Sequence, residues 1–191
     1  MNFTSYRKLG FLLFAIFCAV TASGFAQTLA VKVQTGSQDL KDYRYPVSLY
    51  VPDSYDAATA KTYPLLIALP DVDAPPAPYL EEWVQVGKLK NYIILVPTLK
   101  IRISEVSTQA DKWLLQVKKD IVERYHVDTN RILLTGKKQG AHYAAYLGVR
   151  YPEEFSAVAL FGQAWAGPLE SVLELKNSVH KQRPFFAAHD E

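Results

Sequence analysis

Three short runs decide most of what this chain can become: PLLIALP at 64–70, YIILVPT at 92–98 and RILLTG at 131–136. Each is apolar almost throughout, with no alternation of inward and outward residues. A strand with no polar face must be covered on both sides, as in the interior of a parallel sheet. The segments between them read as helices. APPAPYLEEWVQVGKLKN places its prolines where a helix begins, a position proline tolerates. From 108 to 125, Leu114, Val117, Ile121 and Tyr125 recur at spacings of three and four, and the charged residues fall mainly on the other face. A helix over 139–151, a strand over 155–162, a helix near 168–179 and a strand over 184–189 follow, with Asp128-Thr129-Asn130 read as a turn before the third run. Two alternating runs, 28–36 and 43–52, come first and read as an antiparallel pair, with Pro46 marking an edge or a bulge. The sum is one α/β domain with helices on both faces of its sheet.

The first 26 residues read as a cleaved signal peptide, with an uncleaved membrane anchor as the alternative, rather than as part of the domain. Arg7 and Lys8 precede an apolar run from Leu9, and Gly24 and Ala26 supply the small residues before a cut at Gln27. The only cysteine, Cys18, lies inside that run, so the exported domain, 27–191, has no disulfide or thiolate site. Removing Arg7 and Lys8 from 21 basic residues leaves 19, against 19 acidic ones. A neutral domain gives no electrostatic case for nucleic acid or an anionic membrane. The expected location is outside the cell or in the periplasm.

The densest pattern is LLTGKKQGAHYAAYLGVRYP, 133–152. It reads as a buried strand, a sharp turn and a helix with a smooth stripe at Gly140, Ala144 and Gly148. Gly136 and Gly140 bracket the turn, as in a strand-to-helix elbow whose central residue is strained and whose neighbours must be small.

The longer stretch YHVDTNRILLTGKKQGAHYAAYLGVRYPEEFSAVALFG resembles the nucleophile-elbow region of secreted α/β-hydrolases. The likeness is to the group of polyhydroxybutyrate depolymerases, feruloyl esterases and acetyl xylan esterases. YRYPVSLYVPDSYDAATAKTYPLLIALPD is similar to that group's opening strands, and the resemblance runs over about 43–190. It implies an α/β-hydrolase-like three-layer sandwich, mostly parallel with an antiparallel N-terminal pair, here without the last strand and helix. It also implies carboxylic ester hydrolysis without a cofactor.

The chain departs from that pattern in three places. The group's serine falls on Lys138, an amine that is protonated at neutral pH. The oxyanion loop, usually His-Gly or glycine-rich, reads Leu69-Pro70-Asp71-Val72-Asp73, where proline offers no N–H and two carboxylates would repel an anion. The group's other donor, the backbone amide after the nucleophile, falls on Gln139. The acid and the histidine of the group's triad fall after His189-Asp190, although Asp190 could stand in for the acid. His126, His142 and His180 read as structural or exposed, and no pair has metal-site spacing. No intact catalytic residue is therefore expected, and the candidate cleft residues are Asp71, Asp73 and Lys138. Lys138 is expected either to pair with Asp71 or Asp73 or, with Lys137, to face solvent; Trp83 or Trp165 could border the cleft or pack in the core. Three function readings stay open: a binding or scaffolding relative of the esterases with a small-molecule, ester or polysaccharide-type ligand; a piece of a longer family member; and an ester hydrolase with a rearranged site.

Overall fold

The computed structural model describes residues 33–100, 108–162 and 184–188. The leader, the helix near 168–179, Trp165, His180, His189 and Asp190 lie outside them. The described strands are β1 (Gly36–Leu40), β2 (Val47–Val51), β3 (Tyr63–Leu69), β4 (Ile93–Pro97), β5 (Val127–Lys137), β6 (Ala157–Phe161) and β7 (Phe185–Ala188). The helices are α1 (Pro76–Lys90), α2 (Thr108–Arg124) and α3 (Gln139–Arg150). The strands form one sheet in the order β1-β2-β4-β3-β5-β6-β7. The pairs β1–β2 and β2–β4 are antiparallel and the others parallel.

Burial follows the sequence logic. Every residue of β2, β3 and β4 is buried, because both faces are covered. The step from β3 to β4 runs one way along the sheet, and the step from β4 across β3 to β5 runs the other. With right-handed crossovers, that reversal puts α1 on one face and α2 and α3 on the other. Tyr79, Leu80 and Val84 of α1 pack on Tyr50, Leu66 and Ile94. Gly87 lets α1 settle there, since a Cβ would stand 2.6 Å from the Tyr50 ring. Asn91, at φ 56°, closes the helix with its N–H on the Gly87 carbonyl.

Three expectations change. Of the first run, 28–32 lies outside the described residues, 33–35 is irregular, and the strand starts at Gly36 and runs on to Leu40. Pro46 marks neither an edge nor a bulge: it precedes β2, which pairs on both sides, and its carbonyl accepts Thr98 N–H at 2.9 Å. Asp128-Thr129-Asn130 does not separate two elements but bulges within β5, where Tyr63 pairs with Val127 and Leu65 with Ile132. The turn chemistry is still present: Asp128 Oδ1 accepts Asn130 N–H and Oδ2 accepts Arg131 Nε–H at 2.6 Å. These bonds hold the Asp128 carboxyl below its usual range, with Arg131 the larger cause.

Candidate functional site

The elbow forms where β5 ends at Lys137 and α3 begins at Gln139. Lys138 joins them at φ 52°, ψ −123°, a conformation that L side chains rarely adopt. The flanking glycines explain why it is held there. A Cβ on Gly136 would stand 2.3 Å from the Gly140 carbonyl oxygen. One on Gly140 would stand 2.2 Å from the Leu69 carbonyl oxygen and 2.3 Å from that of Pro70. The first turn of α3 is thus pressed onto the end of β3, which brings the 70–74 loop beside the elbow.

That loop turns its donors inward. Val72 N–H bonds to Asp71 Oδ1 at 2.9 Å, Asp73 N–H to the Leu99 carbonyl at 2.8 Å and Ala74 N–H to the Asp71 carbonyl at 3.2 Å. Pro70 has none to offer. The Gln139 amide heads α3, where helical geometry provides no intrahelical partner.

The charges sort themselves in a way the sequence left open. Lys138 Nζ stands 3.7 Å from Asp71 Oδ2, with the lysine side chain 73% exposed. Such a solvent-exposed pair contributes about 0–1 kcal/mol. Asp73 goes elsewhere: at φ 59° it pairs with Lys100 Nζ at 2.8 Å. Lys137 does not simply face solvent. Its ammonium donates to both oxygens of Glu82, at 2.5 and 2.8 Å, and lies 4.3 Å over the Tyr79 ring. Burial pushes the Tyr79 phenol up to about 12. Trp83, half-buried on α1, packs on the core and on Phe161, whose ring is 6.0 Å away. Phe161 pairs in register with Lys137, so Trp83 is both a core residue and a neighbour of the elbow.

The histidines do not assemble a relay among the described residues. His126 precedes β5, at the opposite end of an eleven-residue strand from the elbow. Its N–H donates to the Tyr55 hydroxyl at 3.1 Å. His142 is half-buried on α3 and is pushed to a lower pKa by burial alone. No group of three metal-ligating side chains occurs among the described residues.

What anchors α3 is a cluster the sequence reading missed. Asp111, fully buried in the first turn of α2, accepts the hydroxyls of Tyr143 at 2.7 Å, Tyr146 at 2.9 Å and Tyr151 at 3.1 Å. Burial, then the Asp111 carboxylate, pushes the Tyr143 phenol far up and that of Tyr146 to about 12. The only trace of this in the sequence is the i, i+3 spacing of Tyr143 and Tyr146.

The strand order, the left-handed elbow and the helix leaving it define an α/β-hydrolase fold. Residues 107–181 match the family model described as esterase PHB depolymerase. No curated protein sequence matches the chain. Among solved structures, the S-formylglutathione hydrolase from Staphylococcus aureus is similar at 12% identity and TM-score 0.64, over 81% of this chain and 79% of that one. The poly(3-hydroxybutyrate) depolymerase from Bordetella parapertussis is similar at 18% identity and TM-score 0.53, over 67% and 52%. The acetyl xylan esterase from Aspergillus awamori is similar at 16% identity and TM-score 0.55, over 65% and 51%. The chain thus spans about half the length of the last two. The chain has the α/β-hydrolase fold, and its segment 107–181 is similar to the esterase PHB depolymerase family.

Proposed function

We propose that this is an exported esterase relative that binds a ligand beside the elbow and does not act as a serine hydrolase. The observation that carries the reading is Lys138 itself, at φ 52° where the fold presents a nucleophile. Its ammonium cannot attack an acyl carbon while protonated. The loop opposite adds to the case, because its amides at 72, 73 and 74 already have acceptors. Export rests on the pattern of residues 1–26, and no described helix is long and apolar enough to cross a membrane. The test is incubation with a fluorophosphonate probe and a short-chain p-nitrophenyl ester. The expected result is no labelling and no turnover above a heat-treated control; either signal refutes the reading.

A second reading, a piece of a longer esterase-family protein, is favoured by the half-length match to two of the relatives. DNA sequence beyond codon 191 tests it: an open frame continuing into a histidine-bearing segment supports it, and a genuine stop refutes it.

A further inference from the structure

A cavity of about 670 Å³ opens at the end of the sheet where β3 and β4 finish, between the β1–β2 loop and the start of α1. Of the candidate cleft residues only Asp73 lines it; Asp71 and the elbow residues Lys137 to Gln139 do not, so it is a separate cavity that shares the 70–74 loop with the site above. Its volume suits a ligand of a few fused or linked rings, or a medium-length chain.

Its walls are apolar and fixed. Leu40, Pro46 and Val47 form one side, and Pro75 and Pro76 the other. Thr98 ties the first side down, its N–H and hydroxyl both donating to the Pro46 carbonyl at 2.9 and 2.7 Å. Asp73 N–H on the Leu99 carbonyl, at 2.8 Å, holds the second. Walls built from prolines and tied loops lose little entropy when a ligand enters.

The charges in the lining are unequal. Lys41, Arg44 and Lys100 face Asp39 and Asp73, three cations against two carboxylates, for a net +1. Asp73 is taken by Lys100 at 2.8 Å, and Asp39 Oδ1 accepts the Ser48 hydroxyl at 2.5 Å. Lys41 and Arg44 make no ion pair among the described residues. The Arg44 guanidinium lies 5.2 Å over the Tyr45 ring, and Tyr45 is itself braced edge-on by Trp113 at 5.3 Å. A guanidinium held over an aromatic ring can still offer its planar fork of N–H donors to a carboxylate.

We propose that this cleft binds a small organic monoanion, an aryl or medium-chain acyl carboxylate. The apolar body lies between Leu40 and Pro76, and the carboxylate takes the Arg44 fork with Lys41 beside it. A dianion such as phosphate fits poorly, because Asp39 and Asp73 repel the second charge. A sugar fits poorly too, because Tyr43 is the one aromatic side chain in the lining.

Calorimetric titration of the full chain with trans-cinnamate, octanoate, cinnamyl alcohol and inorganic phosphate tests this. Cinnamate or octanoate is expected to bind, with cinnamyl alcohol and phosphate at least about tenfold weaker, the equivalent of roughly 1.4 kcal/mol. Arg44→Gln should weaken carboxylate binding about fivefold or more, with a smaller dependence on salt than in the parent. Lys138→Ala should leave it unchanged. The proposal is overturned if neither carboxylate binds below about 5 mM, if the alcohol or phosphate binds as well as cinnamate, or if Lys138→Ala rather than Arg44→Gln removes binding. Fluorophosphonate labelling, by contrast, would refute the non-catalytic reading and leave this one standing.

Discussion

Asp111→Ala acts on the helix that leaves the elbow without touching the elbow itself. The carboxylate is fully buried and accepts three phenols, all from α3 or the residue that caps it. Truncation strands the hydroxyls of Tyr143 and Tyr146, which are 4% and 7% exposed, while half-buried Tyr151 can turn to water. A buried hydroxyl without a partner costs about 1–3 kcal/mol, so two of them cost roughly 2–6. Removing a desolvated charge, and admitting water to the space it leaves, offsets part of this, and about 3 kcal/mol remains. Against a total stability of roughly 5–15 kcal/mol, that is a large share. For a domain of this size it lowers Tm by roughly 6–12 °C.

The assay is urea unfolding followed by far-ultraviolet circular dichroism, with calorimetry for Tm. Asp111→Asn should cost only about 1 kcal/mol, since the amide oxygen still accepts a phenol and its NH2 can donate to another. Tyr151→Phe should cost less still. If Asp111→Ala lies within about 1 kcal/mol of the parent, the three bonds do not hold α3 and the reasoning fails.

Other consequences can be measured on the same protein. Lys138→Gly should raise stability by about 1 kcal/mol, because strain of about 1–3 kcal/mol is relieved against a glycine entropy cost of about 0.5–1; unchanged or lower unfolding midpoints in urea would contradict it. Gly140→Ala should destabilise by about 3 kcal/mol, since its Cβ meets two backbone oxygens that cannot rotate away, and a soluble variant with the parent's Tm would show the contact is not tight. Alkaline stability should fall between pH 10 and about 12, because Tyr146 titrates near 10 when unfolded and near 12 when folded. The raised phenol favours folding below the lower value and ceases to do so above the higher one. Tyr146→Phe should make that fall shallower, as read by ellipticity against pH.

The interior strands were legible because complete burial leaves a direct trace: 64–70, 92–98 and 131–136 became β3, β4 and the C-terminal half of β5. The elbow was legible because Gly136 and Gly140 are required by backbone contacts, not by side-chain chemistry. What escaped is non-local. The Lys137–Glu82 pair joins residues 55 apart in sequence, and the Asp111 bonds span 32 to 40. Nothing in a linear pattern distinguishes these residues from a solvated lysine or a core tyrosine. The bulge in β5 escaped for another reason: Asp128 and Asn130 carry true turn chemistry, and only pairing with β3 continues the strand through it.

The strain at Lys138 is set by packing, and this bears on what it can say about chemistry. Gly136 and Gly140 touch, and Gly140 meets the end of β3, so the backbone must enter α3 through a left-handed residue whatever side chain stands there. The geometry is therefore equally available to a lysine and to a serine, and it is no evidence for or against a nucleophile. Lys138→Ser places a hydroxyl where the fold presents one. It supplies neither a base to activate it nor a second oxyanion donor, since the amides of Val72, Asp73 and Ala74 keep their present acceptors. The variant should fold and stay unlabelled by a fluorophosphonate, at the level of Lys138→Ala. Labelling above that level would mean that a base reaches the elbow and that the loop can release a donor, and the site would then be one substitution away from catalysis.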